Sequence, residues 1–269
     1  MIISKLIGGL GNQLFQYAAA RYLAEINNEE LKLDLSEFKS YKLHKYSLKH
    51  FNIIEKIASQ KDLKKVKNVN EKYFHYNKNF KKSGTNILLK GYWQSVKYFN
   101  GISNIIKTDF KVKSKLKGRN LSVSKKILDC NSVSLHIRRG DYKPNSYKDQ
   151  IFDVLNYDYY HSAISDLSKK EKNLIFFIFS DDHKWVKDNI KLDFPIIIVN
   201  HNTAATNYED LRLMSLCNHN IISNSTFSWW GAWLNCNKNK RIYAPKKWFN
   251  KNAKNLNSKD IIPKQWIKI

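Results

Sequence analysis

Short apolar runs that end in glycine or polar turns and give way to segments of helical period recur along this 269-residue chain. Ile2 to Ile7 is the first run. Gly8-Gly9-Leu10-Gly11-Asn12 follows, and Gln13 to Ile26 then places Leu14, Tyr17, Ala18 and Tyr22 near one face of a helix. Leu31 to Leu35 reads as a second strand, and this order opens a Rossmann-like unit. Further on, strands at Val133 to Ile137, Leu174 to Phe179, Ile196 to Val199 and Asn220 to Ser223 alternate with helices over Tyr159 to Ser168, Glu209 to Cys217 and Phe227 to Leu234. Strands joined through helices pair in parallel, so the pattern predicts an α/β fold.

A chain of this length can bury a substantial core, as one large domain or two small ones. The stretch from Ser36 to Lys117 is polar and hard to parse, with one strand at Ile87-Leu88-Leu89 leading into Gly91-Tyr92-Trp93-Gln94-Ser95. Lys111 to Lys126 is the most linker-like segment. No apolar run is long enough to span a bilayer. The start at Met1-Ile2-Ile3 reads as a first strand rather than a signal peptide. Cys130, Cys217 and Cys236 are odd in number and lack C-x-x-C spacing, which fits reduced thiols in a cytosolic protein. The net charge of +24 is spread as lysine along the chain. A solvated basic surface accounts for it, with attraction to anionic lipid or substrate as the functional alternative.

Arginine is the informative cation here. The chain has six arginines against 41 lysines, yet Arg138 and Arg139 stand together in His136-Ile137-Arg138-Arg139-Gly140-Asp141, at the end of a predicted strand. Guanidinium presents a planar fork that grips phosphate or carboxylate at two points, which ammonium cannot do. Neighbouring strand-end side chains point oppositely, so one guanidinium faces a ligand and the other braces the loop. An ion-pair cluster with Asp141 is the structural alternative. Asp141 could orient an arginine or serve as a general base, and two adjacent cations favour the first role by lowering its pKa.

Other strand ends carry similar chemistry. The three glycines of the first loop let backbone amides approach an anion at a helix N-terminus, or simply make a tight turn. They match neither the dinucleotide fingerprint nor a P-loop. Asn224-Ser225-Thr226 precedes a helix, so these residues could cap it or bind phosphate there. Ser180-Asp181-Asp182 ends another strand, where a carboxylate could accept the paired N–H donors of guanine. Trp229, Trp230 and Trp233 read as core. Tyr92 and Trp93, in a predicted loop, read as sugar-stacking rings. No D-x-D, H-E-x-x-H or Cys/His cluster occurs, which predicts a site without metal.

Together these segments resemble the bacterial α-1,2-fucosyltransferases. The resemblance runs in family order over nearly the whole chain, through Gly8 to Tyr17, Gly91 to Ser95, His136 to Asp141 and Ser223 to Gly231. The H-x-R-R-x-D motif is shared with α-1,6- and protein O-fucosyltransferases, which stand as the alternative. The segments Gly-Tyr-Trp-Gln-Ser and Ser-Thr-Phe-Ser-Trp-Trp-Gly are more diagnostic of the α-1,2 group.

The resemblance implies a GT-B type fold, two Rossmann-like domains facing across a cleft, with residues 1–120 on the acceptor side and 121–269 binding the donor. It implies inverting transfer from GDP-β-L-fucose, with no cofactor or metal, to the 2-hydroxyl of a galactose-type acceptor in O-antigen or capsule synthesis. By this analogy Arg138, His136 and Asp141 are catalytic. Gly11, Asn12, Arg138, Arg139, Ser180, Asp181, Asn224, Ser225, Thr226 and Phe227 hold the donor, Asp181 meeting its guanine. Tyr92, Trp93 and Gln94 meet the acceptor. The expected partners are the sugar nucleotide and a galactose-terminated glycan or lipid-linked oligosaccharide. The expected location is the cytoplasm, with peripheral contact to an anionic membrane. A basic nucleic-acid-binding protein is the rival from another class, but base readout favours the arginine forks that are scarce here.

Overall fold

The computed structural model describes residues 1–41, 43–140 and 151–269. The chain divides into two compact units, one of Met1–Ser114 with Leu256–Pro263, the other of Lys115–Asn255 with Lys264–Ile269. A single cut at residue 120 misses this exchange, because the returning segment has no periodicity that assigns it to either unit.

In the first unit β1 (Ile2–Lys5) runs into α1 (Leu10–Ile26) and then β2 (Leu31–Asp34). The short α2 (Gln60–Leu63), β3 (Lys67–Asn70), β4 (Ile87–Lys90) and α3 (Ser103–Asp109) follow. The sheet order is β2-β1-β4-β3 and every pairing is parallel. β1 and β4 are apolar and largely buried, whereas β3 reads Lys-Asn-Val-Asn and is mostly exposed. Its edge position tolerates that composition, and sequence periodicity therefore missed it. α1 begins at Leu10, so Gly11 and Asn12 lie in its first turn rather than in a loop. Gly8 has φ +83° and makes the turn itself.

The second unit contains α4 (Gly118–Leu128), β5 (Asn131–Ile137), α5 (Tyr157–Lys170), β6 (Leu174–Ser180), α6 (His183–Asn189) and β7 (Ile196–Val199). It continues with α7 (Asn207–Leu216), β8 (His219–Ile221), α8 (Thr226–Leu234), β9 (Ile242–Ala244) and β10 (Ile267–Lys268). These strands form one parallel sheet ordered β10-β9-β8-β5-β6-β7. The segment expected as linker is largely α4. Its lysines face solvent while Ile127 is fully buried with Phe177, Leu213 and Met214. On the other side of the sheet, α5 buries Tyr160, Ala163 and Leu167 against Val133, Leu135 and Phe176. Trp229 and Trp230 are fully buried and Trp233 nearly so, which makes these rings core as expected.

Both sheets reverse direction once. The chain leaves β5 toward β6 and β7, then returns to lay β8 against the opposite edge of β5. In the first unit the corresponding place lies between β1 and β4. Loops diverge at such switch points and open a crevice at the carboxyl ends of the strands.

Candidate functional site

The β5–β8 switch point collects the arginine motif and the Ser-Asn-Ser-Thr segment. His136, in β5, is buried, and its Nδ1 lies 2.8 Å from the hydroxyl of Ser223, just beyond β8. Burial, reinforced by the Arg138 charge and opposed by Asp181, lowers the imidazole pKa to about 3. His136 is therefore neutral at physiological pH and acts there as a hydrogen-bonding group.

Arg138 and Arg139 have different surroundings. Arg138 Nη1 lies 3.0 Å from Asp181 Oδ2. Arg139 stacks its guanidinium over Trp185, 3.9 Å from the ring centroid, and its Nε lies 3.9 Å from Asp182. Arg139 braces the loop against α6, whose N-terminus is capped by Asp182 accepting from the Trp185 amide at 3.1 Å. Asp141 lies outside the described residues.

Asp181, expected at the guanine of the donor, lies against the arginine loop. Its carboxylate accepts from the amides of Arg139 at 2.9 Å and Gly140 at 3.0 Å while it pairs with Arg138. It fastens the arginine loop. Ser180, expected beside the donor, turns the chain locally by accepting from the Asp182 amide at 3.0 Å.

On the β8 side, Ser225 caps α8 by accepting from the Phe227 amide at 3.3 Å. Thr226 and Phe227 are partly exposed in the first turn, and the Phe227 ring lies 5.8 Å from that of His136. Asn224 is buried and donates to the carbonyls of Asp153 and Trp248, so it anchors the loop from beneath. Ser223 is a site residue the sequence reading left without a role. Its position as the polar last residue of the strand read at Asn220 to Ser223 was the available signal.

In the first unit, the glycine turn and the Gly91–Ser95 loop meet at the β1–β4 switch point. Gln16 accepts from the Ile7 amide at 3.0 Å and donates to the Gly91 carbonyl at 3.1 Å. Gln94 is buried and donates to Asn12 Oδ1 at 3.0 Å. Trp93 corrects the reading of this loop. It is 2% exposed and packs its ring against Phe80 and Tyr98 at 5.0 and 5.4 Å, so it cannot stack on a sugar. Tyr92, 40% exposed, can. Tyr92 and Trp93 thus differ in burial, and nothing in the sequence said which ring faced out.

Among the described residues no group of three or more His, Cys, Asp or Glu side chains is placed to hold a metal ion. No described helix is long and apolar enough to cross a membrane. The three cysteines are free.

The model of glycosyl transferase family 11 matches residues 2–269. The chain belongs to glycosyltransferase family 11. This family 11 glycosyltransferase is 34% identical to an Escherichia coli α-1,2-colitosyltransferase, over all of the chain and 99% of that protein. It is 32% identical to the O-antigen biosynthesis glycosyltransferase WbnK of Escherichia coli, over 99% of both. It is 26% identical to mouse galactoside α-(1,2)-fucosyltransferase 1, over 84% of the chain and 61% of that protein. Its fold is similar to that of NodZ α-1,6-fucosyltransferase, solved after soaking with GDP-fucose. The TM-score is 0.53 at 13% identity, over 86% of this chain and 91% of that one. The expected architecture, two α/β units with parallel sheets as in GT-B glycosyltransferases, is the one found.

Proposed function

We propose that the protein transfers L-fucose from GDP-β-L-fucose, with inversion, to the 2-hydroxyl of a galactose-type acceptor during synthesis of a surface polysaccharide such as O-antigen. The observation that carries this reading is the fastened arginine loop at the β5–β8 switch point of a family 11 member. The names of the relatives support its α-1,2 linkage, its galactoside acceptor and its O-antigen setting.

The chemistry follows from that loop. When GDP leaves the anomeric carbon, negative charge grows on the β-phosphate and oxocarbenium character on the sugar. Arg138, paired with Asp181 through one Nη, meets the growing charge, and the first turn of α8 adds its amides. One preorganised donor of this kind contributes about 3–4 kcal/mol. His136, neutral and buried, supports the pocket through its bond with Ser223. The acceptor hydroxyl attacks from the face opposite the leaving group, which inverts the centre. Tyr92 offers the exposed ring on the acceptor side.

The colitosyltransferase relative favours a second reading. Colitose is fucose lacking the 3-hydroxyl, so the same diphosphate grip would serve GDP-colitose. Titration calorimetry with GDP, ADP and UDP in EDTA tests the grip, and turnover of GDP-fucose against GDP-colitose on a galactoside separates the donors. GDP-selective binding with faster fucose transfer is expected. Equal binding of all three nucleotides overturns the donor assignment. We also place the protein in the cytoplasm, touching anionic membrane through its lysine-rich surface. Salt-sensitive binding to vesicles containing anionic lipid tests that placement.

A further inference from the structure

One carboxylate in the first unit has no part in the mechanism above. Glu71 follows β3 immediately and is partly buried, and no cation pairs with it among the described residues. Its two oxygens accept from successive backbone amides, Oε2 from Tyr92 at 2.7 Å and Oε1 from Trp93 at 2.9 Å. Gly91 stands against its stem, so closely that a Cβ there would lie 2.3 Å from Glu71 Cβ and 2.9 Å from Oε2. Trp93 adopts φ +56°, a left-handed conformation that costs a residue other than glycine about 1–2 kcal/mol. The Gly91 carbonyl is held from the other side by Gln16. The loop backbone is thus gripped at three successive residues by Glu71, just past β3, and by Gln16 of α1.

We propose that Glu71 is a positioning residue for the acceptor: its carboxylate sets the backbone of the Gly91–Ser95 loop and so fixes where Tyr92 presents its ring. The inference rests on the functional reading that Tyr92 meets the acceptor. The Phe80–Trp93–Tyr98 cluster already secures the apolar side of this loop. What the carboxylate adds is the direction of two amides, one of them in an exposed residue that water could otherwise serve. Burial raises the Glu71 carboxyl to about 7, only partly offset by the two amide bonds. An acid kept at that cost beside an exposed aromatic serves placement rather than cohesion.

The test uses phenyl β-D-galactoside as acceptor at saturating GDP-fucose, with Glu71→Gln, Glu71→Asp and Gly91→Ala. Glutamine replaces one acceptor oxygen by an NH₂ that faces an N–H, and alanine at position 91 forces the stem away. Acceptor KM is expected to rise about tenfold or more in Glu71→Gln and Gly91→Ala, with GDP affinity within about twofold of wild type and partial recovery in Glu71→Asp. Hydrogen exchange at the Tyr92 and Trp93 amides should quicken in the same variants while the β1 and β4 amides stay protected. Unchanged acceptor KM in a folded Glu71→Gln protein, or an equal loss of GDP affinity, overturns the proposal. A wild-type protein that turns over no galactoside sinks the functional reading separately. The amide-exchange comparison then decides the placement alone, and unchanged Tyr92 and Trp93 exchange rejects it.

Discussion

His136 Nδ1 and Ser223 Oγ, 2.8 Å apart and both buried, tie the carboxyl end of β5 to that of β8 across the point where the sheet changes direction. The bond joins two sequence motifs, 87 residues apart, into one wall. Its polar pair is closed to solvent, and a proton added to the imidazole would have no water to solvate it. Stability should therefore respond to acid.

The sign of that response follows from linkage. The imidazole pKa is about 3 in the folded protein and 6.5 ordinarily, so between these values only the unfolded chain takes the proton. The His136 contribution is complete above 6.5 and is lost as pH falls toward 3, at up to about 1.4 kcal/mol per pH unit. Arg138 and Asp181 face the same ring, the first deepening and the second softening the shift. Urea unfolding of wild type and His136→Gln across this window should show a shallower acid loss in the variant. Parallel curves would mean that other groups dominate.

Arg138→Lys retains the charge and loses the planar fork. Turnover should fall by about two orders of magnitude while thermal stability changes little, as read by steady-state kinetics and calorimetry. Near-normal turnover would remove Arg138 from the leaving-group chemistry.

Gly140→Ala attacks the loop from its backbone. The added Cβ would lie 2.8 Å from Asp181 Oδ2, which must yield its bonds to the Arg139 and Gly140 amides. GDP affinity should drop by about tenfold or more, the cost of one charge-assisted bond and the order it imposes. Isothermal titration measures it.

Tyr92→Ala and Trp93→Ala should separate function from stability. The first removes an exposed ring and should raise acceptor KM with an unchanged unfolding midpoint. The second empties the space beside Phe80 and Tyr98 and should cost about 3–5 kcal/mol in denaturant unfolding.

Because arginine and helix amides carry the leaving-group charge in this reading, activity should survive EDTA. Assays with chelator and with added Mg²⁺ should agree. A strict requirement for the ion would show that the diphosphate is bridged by metal.

Sequence alone determined the class of this protein. Apolar runs ending in turns and followed by helical periods leave a parallel sheet as their solution, and the strand ends named the chemistry: a guanidinium fork, a capped helix, a glycine turn. β6 and β7 lie within a residue of where the sequence put them, because each reads as a continuous apolar run in a parallel sheet. Local pattern has no access to side-chain direction in a loop or to partners distant in sequence. Tertiary structure decided that Trp93 is core while Tyr92 faces solvent, since only packing with Phe80 and Tyr98 distinguishes two adjacent rings. It turned Asp181 toward the arginine loop, 42 residues away from Arg139, because β6 lies beside β5 in the sheet. It also brought Glu71 to Tyr92, since an exposed polar edge strand carries no apolar signal. Backbone pattern follows from neighbours along the chain, and site geometry follows from neighbours across the sheet.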